Sequence, residues 1–192
     1  MKAWIEIGIL AFAVLAGAAG AQMMMHGHSQ GHSQGHMHGA DGSGHDEVNM
    51  PGLRGVDATA EESDELRQMF QNFTALSRTV EHLPNGIRTR TMASDPELAG
   101  VLQSHVIGMI DRVDEGRDPQ IMIQSPTLDI FFAKGGEIET TIDVIEGGIE
   151  VVQTSANPEI VAALQTHADE VTGMVERGMQ AVHERMMGQA RN

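Results

Sequence analysis

Imidazole and thioether chemistry dominates one stretch of this chain. His26, His28, His32, His36, His38 and His45 share residues 22 to 50 with Met23, Met24, Met25, Met37 and Met50, in a background of Gly, Ser and Gln. Neutral imidazole is the commonest metal ligand, and thioethers select soft Cu(I). His-x-His occurs twice, at His26/His28 and His36/His38. The intervening glycines let several side chains converge on one ion, at an entropic cost that limits affinity. A segment so poor in large apolar residues cannot bury enough surface to offset chain entropy, so residues 22–58 are expected to be a disordered tail and linker. The plain alternative is a solvated low-complexity linker in which histidine is only polar filler.

This tail resembles the His/Met-rich segments of bacterial periplasmic copper-handling proteins, by composition and over about residues 22 to 50 only. The resemblance implies copper ahead of zinc or nickel, because of the methionines. What precedes the tail agrees with export. Lys2 leads into an apolar run from Ile7 to Ala19, and Ala19-Gly20-Ala21 supplies small residues for cleavage, the order of a secretory signal peptide over residues 1–21. The run is short of the ~20 residues a membrane span needs. Cleavage after Ala21 would leave Gln22 at the start of a periplasmic or secreted protein with no membrane attachment. The chain has no cysteine, which excludes a lipid anchor, disulfides, thiolate metal sites and a cysteine nucleophile.

A net charge of −15 argues against nucleic acid and anionic lipid as partners and for cations. The only Trp lies at position 4 and there is no Tyr, so the chain beyond the signal barely absorbs at 280 nm.

The second half of the chain repeats itself. Pro96, Glu97, Leu102, Gln103 and His105 recur as Pro158, Glu159, Leu164, Gln165 and His167, at a constant step (158 − 96 = 62). Leu66, Phe70, Thr79, Gly86, Ile87 and Gly116 recur at the same step, without a gap, as Leu128, Phe132, Thr141, Gly148, Ile149 and Gly178. Each unit reads as helix, strand, turn, strand, helix. The first helix runs from Glu61 to Leu76 in one copy and is cut short by Gly135-Gly136 in the other. Pro84-Asn85-Gly86 and Glu146-Gly147-Gly148 mark hairpins, with positive φ expected at the central residues. Asp95-Pro96 and Asn157-Pro158 open the second helices. The expected fold is α+β: two tandem αββα repeats, residues 62–118 and 126–190, within a domain over 59–192. They would share a four-stranded antiparallel sheet with helices packed on it.

Both domain histidines fall on apolar helical stripes. His105 follows Leu98, Val101 and Leu102 and has Met109 one turn on; His167 follows Ile160, Ala163 and Leu164 and has Met174 two turns on. Packed about a pseudo-two-fold axis, His105 and His167 with Met109 or Met174 would suit copper or haem iron. The same pattern fits two core histidines, each bonded to a carbonyl or polar neighbour. Gln103 and Gln165 face elsewhere on their helices, at the surface or between the copies. His183, Met186 and Met187 on the last helix fit packing of an amphipathic terminus on the core.

No HExxH, GxSxG, GxGxxG or Walker loop occurs, so no reaction is specified and a non-enzymatic protein is expected. Two roles follow. One is an exported metal-binding protein, a copper buffer or carrier that works with a periplasmic transfer partner or as a homodimer. The other is a module binding an organic ligand, haem or another protein, with the tail incidental.

Overall fold

A computed structural model describes residues 50–189 of this protein. The chain divides into two units, residues 1–36 and 37–192, and the described residues all belong to the second. Residues 1–21, where a signal peptide is expected, and the tail histidines and methionines up to His45 lie outside them. Among the described residues, no helix is long and apolar enough to cross a membrane.

The described chain is mixed helix and strand. Five helices, α1 (Ala60–Gln71), α2 (Pro96–Asp114), α3 (Asp129–Lys134), α4 (Pro158–Arg177) and α5 (Met179–Gln189), accompany four strands, β1 (Leu76–Leu83), β2 (Gly86–Ala93), β3 (Glu139–Ile145) and β4 (Gly148–Thr154). The strands form one antiparallel sheet in the order β1-β2-β4-β3. One face is closed: Ile87, Thr89, Thr91, Ala93, Ile149 and Val151 are buried, while Arg88 and Arg90 alternate with them and are exposed. α4 packs on β1 and β2, and α2 on β4 and β2. Ile160, Leu164 and Ala168 of α4 meet Ile87, Phe131 and Ile138 in one core cluster; Leu102 of α2 meets Ile149 and Val151 in another.

The register repeats at the sequence step. Leu83 lies opposite Gly86, and Ile145 opposite Gly148. In the central β2–β4 pairing, Thr89 faces Val151, which are themselves equivalent positions. Gly116 and Gly178 end their helices at equivalent points with φ of 65° and 58°. The helix starts follow the same rule. Asp95 accepts from the N–H groups of Glu97 and Leu98, and Asn157 accepts from that of Glu159.

Three local features differ from the sequence-based expectation. α1 stops at Gln71, and Leu76 opens β1 opposite Ala93 instead of closing the helix. Asn72 turns its own amide back onto the Gln68 carbonyl, and a short 3-10 turn over Phe73–Ala75 follows. The hairpin loops are Pro84-Asn85 and Glu146-Gly147, and only Gly147 has positive φ, at 72°. Gly86 and Gly148 are therefore not turn residues. They are strand positions where the next strand comes too close for a side chain. A Cβ at Gly86 would sit 1.9 Å from the Gln153 carbonyl oxygen, and one at Gly148 2.2 Å from that of Thr91. Finally, the terminal helix packs through Val182, 2 % exposed, and leaves Met186 and Met187 nearly half exposed.

The segment before α1 is docked as well. Leu53 is buried, Gly55 bridges Ile121, and Arg112 of α2 locks the whole corner. Its Nε and Nη2 donate to the Glu62 carboxylate at 2.5 and 2.9 Å. Its Nη1 donates to Asp57 Oδ2 at 2.9 Å and the Arg117 carbonyl at 3.3 Å, and Nη2 also reaches the Asp57 carbonyl at 2.7 Å. All the guanidinium donors are used, so this buried cation is fully paired. Arg112 holds Glu62 down at about 2, against the opposing pull of burial.

The close approach at the two glycines sets a test. Gly86→Ala and Gly148→Ala are each expected to cost about 1–3 kcal/mol in denaturant unfolding, because a backbone carbonyl cannot move aside as a side-chain end can. Gly136→Ala, which meets nothing within 4 Å, should change stability little.

Candidate functional site

His105 and His167 sit at mid-helix on α2 and α4, each beside a carboxylate. His105 Nδ1 lies 3.8 Å from Glu65 Oε2, and His167 Nδ1 lies 3.8 Å from Glu170 Oε2. At that separation the contact is electrostatic and not a hydrogen bond, so both Nδ1 atoms are buried without a hydrogen-bond partner. The rings themselves are only partly covered, 17 % and 29 % exposed, so neither is the fully buried core histidine its stripe suggested.

A hydroxyl completes each group. Ser104 donates to Glu65 Oε1 at 2.5 Å; Ser125 donates to Glu170 Oε1 at 2.7 Å, with Thr127 at 3.3 Å. In both cases the serine serves the acid and not the imidazole, which is not the connectivity of a nucleophile activated by a base. The carboxylates are held ionised. His105 beside it keeps Glu65 below the ordinary carboxylate range, against burial and with help from Ser104. Burial pushes Glu170 up, but His167, Ser125 and the nearby Arg185 outweigh it and leave it lowered.

The two acids are not equivalent residues. Glu65 comes from α1, and the position one step on is Thr127; Glu170 comes from α4 itself, and the position one step back is Gly108. The difference follows from helix length. α1 has 12 residues and reaches α2, whereas α3 has six and supplies Phe131 against His167 instead, edge to face at 5.7 Å. Glu170 was readable as an i,i+3 neighbour of His167 on one helix face. Glu65 was not, because it meets His105 only through tertiary packing.

The surroundings also differ. A cleft of about 330 Å³ opens between α4 and α5, lined by Glu170, Met174, Asp169, Arg177, Glu184 and Arg185 among others. Met174 thus joins Glu170 at the same opening. Arg177 is tied to Glu184 at 2.6 Å, and Arg185 to the Ile123 carbonyl at 2.5 Å. Met109 is half-buried on α2. His82 reaches Asp169 at 3.1 Å from the exposed end of β1. No hydrogen bond or ring contact among the described residues joins His105 to His167. Nor do three or more His, Asp or Glu side chains gather there as a metal-holding group. His26, His28, His32, His36, His38, His45, Met23, Met24, Met25 and Met37 lie outside the described residues.

No family model, curated protein or solved structure matches this chain.

Replacing Glu65 by Gln removes the charge that faces His105 and is expected to lower stability at pH 7 by about 1–3 kcal/mol. Glu65 is lowered in the folded state, so its contribution is complete above the ordinary carboxylate pKa and fades as pH falls through the folded value. Unfolding titrations at pH 7 and pH 3 should therefore show the gap between Glu65→Gln and the parent closing in acid.

Proposed function

We propose that this is an exported metal-binding protein, a copper buffer or carrier of the periplasm with no catalytic activity of its own. It carries a tail that collects the ion ahead of a domain made of two duplicated αββα units. His26, His28, His36 and His38 capture the metal, Met23 to Met25 hold it as Cu(I), and His105 and His167 supply ordered nitrogen ligands. The observation that carries the reading is the pair of domain imidazoles. Each presents a buried Nδ1 with no hydrogen-bond partner, 3.8 Å from a carboxylate kept ionised. Buried polar atoms are nearly always satisfied, so two such nitrogens at equivalent positions call for a ligand. The repeated register and helix ends support the duplication. The acidic charge favours a cation as cargo.

The test is a copper titration, as Cu(II) and as Cu(I), of the chain from Gln22 onward beside a version in which the six tail histidines are serine. The expected result is multiple equivalents in the first and at least one retained in the second. Absence of binding in both would remove the metal reading and favour the ligand- or protein-binding module.

A further inference from the structure

The two histidine sites are not equal, and the second has what the first lacks. Among the described residues, both facing atoms of the second pair, His167 Nδ1 and Glu170 Oε2, are buried without a hydrogen-bond partner; at the first pair only His105 Nδ1 is. Leaving an ionised carboxylate oxygen and an imidazole nitrogen both unsatisfied in a partly buried place is costly unless something bridges them. Metal–nitrogen bonds of about 2.0–2.1 Å and metal–oxygen bonds of about 2.0–2.2 Å put such atoms about 3.4 Å apart at a tetrahedral ion and about 4.2 Å apart at a linear one. The observed 3.8 Å lies between these limits.

A third donor is at hand. His167, Glu170 and Met174 are spaced i, i+3 and i+7 on α4, which puts all three on one helix face. Glu170 and Met174 both line the α4–α5 cleft, and His167 stands one turn before Glu170 on the same helix. Phe131 of α3 meets the His167 ring edge to face at 5.7 Å. Ser125 and Thr127 occupy Glu170 Oε1 and leave Oε2 facing the imidazole. Three carboxylates against two arginines line the cleft, and both arginines are already engaged.

We propose that His167 Nδ1, Glu170 Oε2 and the Met174 thioether form one copper site at the cleft between α4 and α5, with Glu170 the ligand that metal-binding sequence patterns do not reveal. An imidazole, a carboxylate and a thioether make a mixed set that accepts copper in either oxidation state, the sulfur favouring Cu(I). The serine and phenylalanine around it fix the orientation of the ligands, as outer partners do in metal sites. This assignment rests on the metal-binding reading above and narrows it to one of the two histidines.

The experiment uses the full chain from Gln22 with the tail histidines and Met23, Met24, Met25 and Met37 replaced by serine, titrated with Cu(I) against a chromogenic chelator. One equivalent is expected. Glu170→Gln and Met174→Leu should each weaken it by at least about tenfold, the scale on which even outer partners act. Asp143→Asn, on the open face of the sheet, should leave it unchanged. Met174→Leu conserves volume, so its loss of binding with an unaltered melting temperature separates ligation from packing. Binding that survives both Glu170→Gln and Met174→Leu would overturn the assignment and leave the wider copper reading standing. A tail-replaced chain that binds nothing while the intact chain binds copper would also overturn it, and loss in both would sink the two readings together.

Discussion

Two glutamines clamp the halves of this domain to each other. Gln103 of α2 sends its side-chain amide to the Gly148 and Ile145 carbonyls, at 2.9 and 3.3 Å, on the hairpin of the other half. Gln165 of α4 does the same to Leu83 and Gly86, at 3.0 and 3.4 Å. Each helix therefore caps the turn that it does not follow in sequence. The clamps give those carbonyls a side-chain donor and tie each helix to the sheet. The histidines stand two residues further along the same helices, so the clamps also set their positions.

Everything nearer the site follows from that frame and from how it has been broken. The sheet, the caps and the clamps obey the 62-residue step, but the first helices do not. A long α1 brings Glu65 in from outside, while a short α3 leaves room for Phe131 and for an acid carried by α4 itself. Similar pairs at 3.8 Å are thus reached by different routes.

Much of this architecture was legible in the chain. Asp95-Pro96 and Asn157-Pro158 start helices for local reasons, and the recurrence of residues at a constant offset led to the expected element order and to a four-stranded antiparallel sheet, which the fold has. The rest depends on packing. Gly86 looked like a turn glycine because Asn85 precedes it, yet it is needed where β2 meets the Gln153 carbonyl, a demand that no local pattern contains. Arg112 carries no local sign of burial and is 2 % exposed, with Asp57 and Glu62 brought to it over a long sequence separation. Arg78 is a second covered cation. It lies on the covered face of β1, where desolvation lowers it to about 10; its Nη1 donates to the Thr91 hydroxyl at 2.6 Å and its Nε is buried without a partner among the described residues. Of the candidate ligands, both histidines and Met174 were readable from type and spacing, and Glu170 from its i,i+3 place beside His167. Glu65 was not, because only tertiary packing brings α1 to His105.

The most direct check on the account is X-ray absorption at the copper edge of the Cu(I)-loaded chain with its tail histidines and methionines replaced. The expected spectrum contains a sulfur neighbour at about 2.3 Å beside lighter atoms at about 2.0 Å, and the sulfur disappears in Met174→Leu. A spectrum of light atoms alone, or a sulfur that persists in that variant, would contradict a site built on α4.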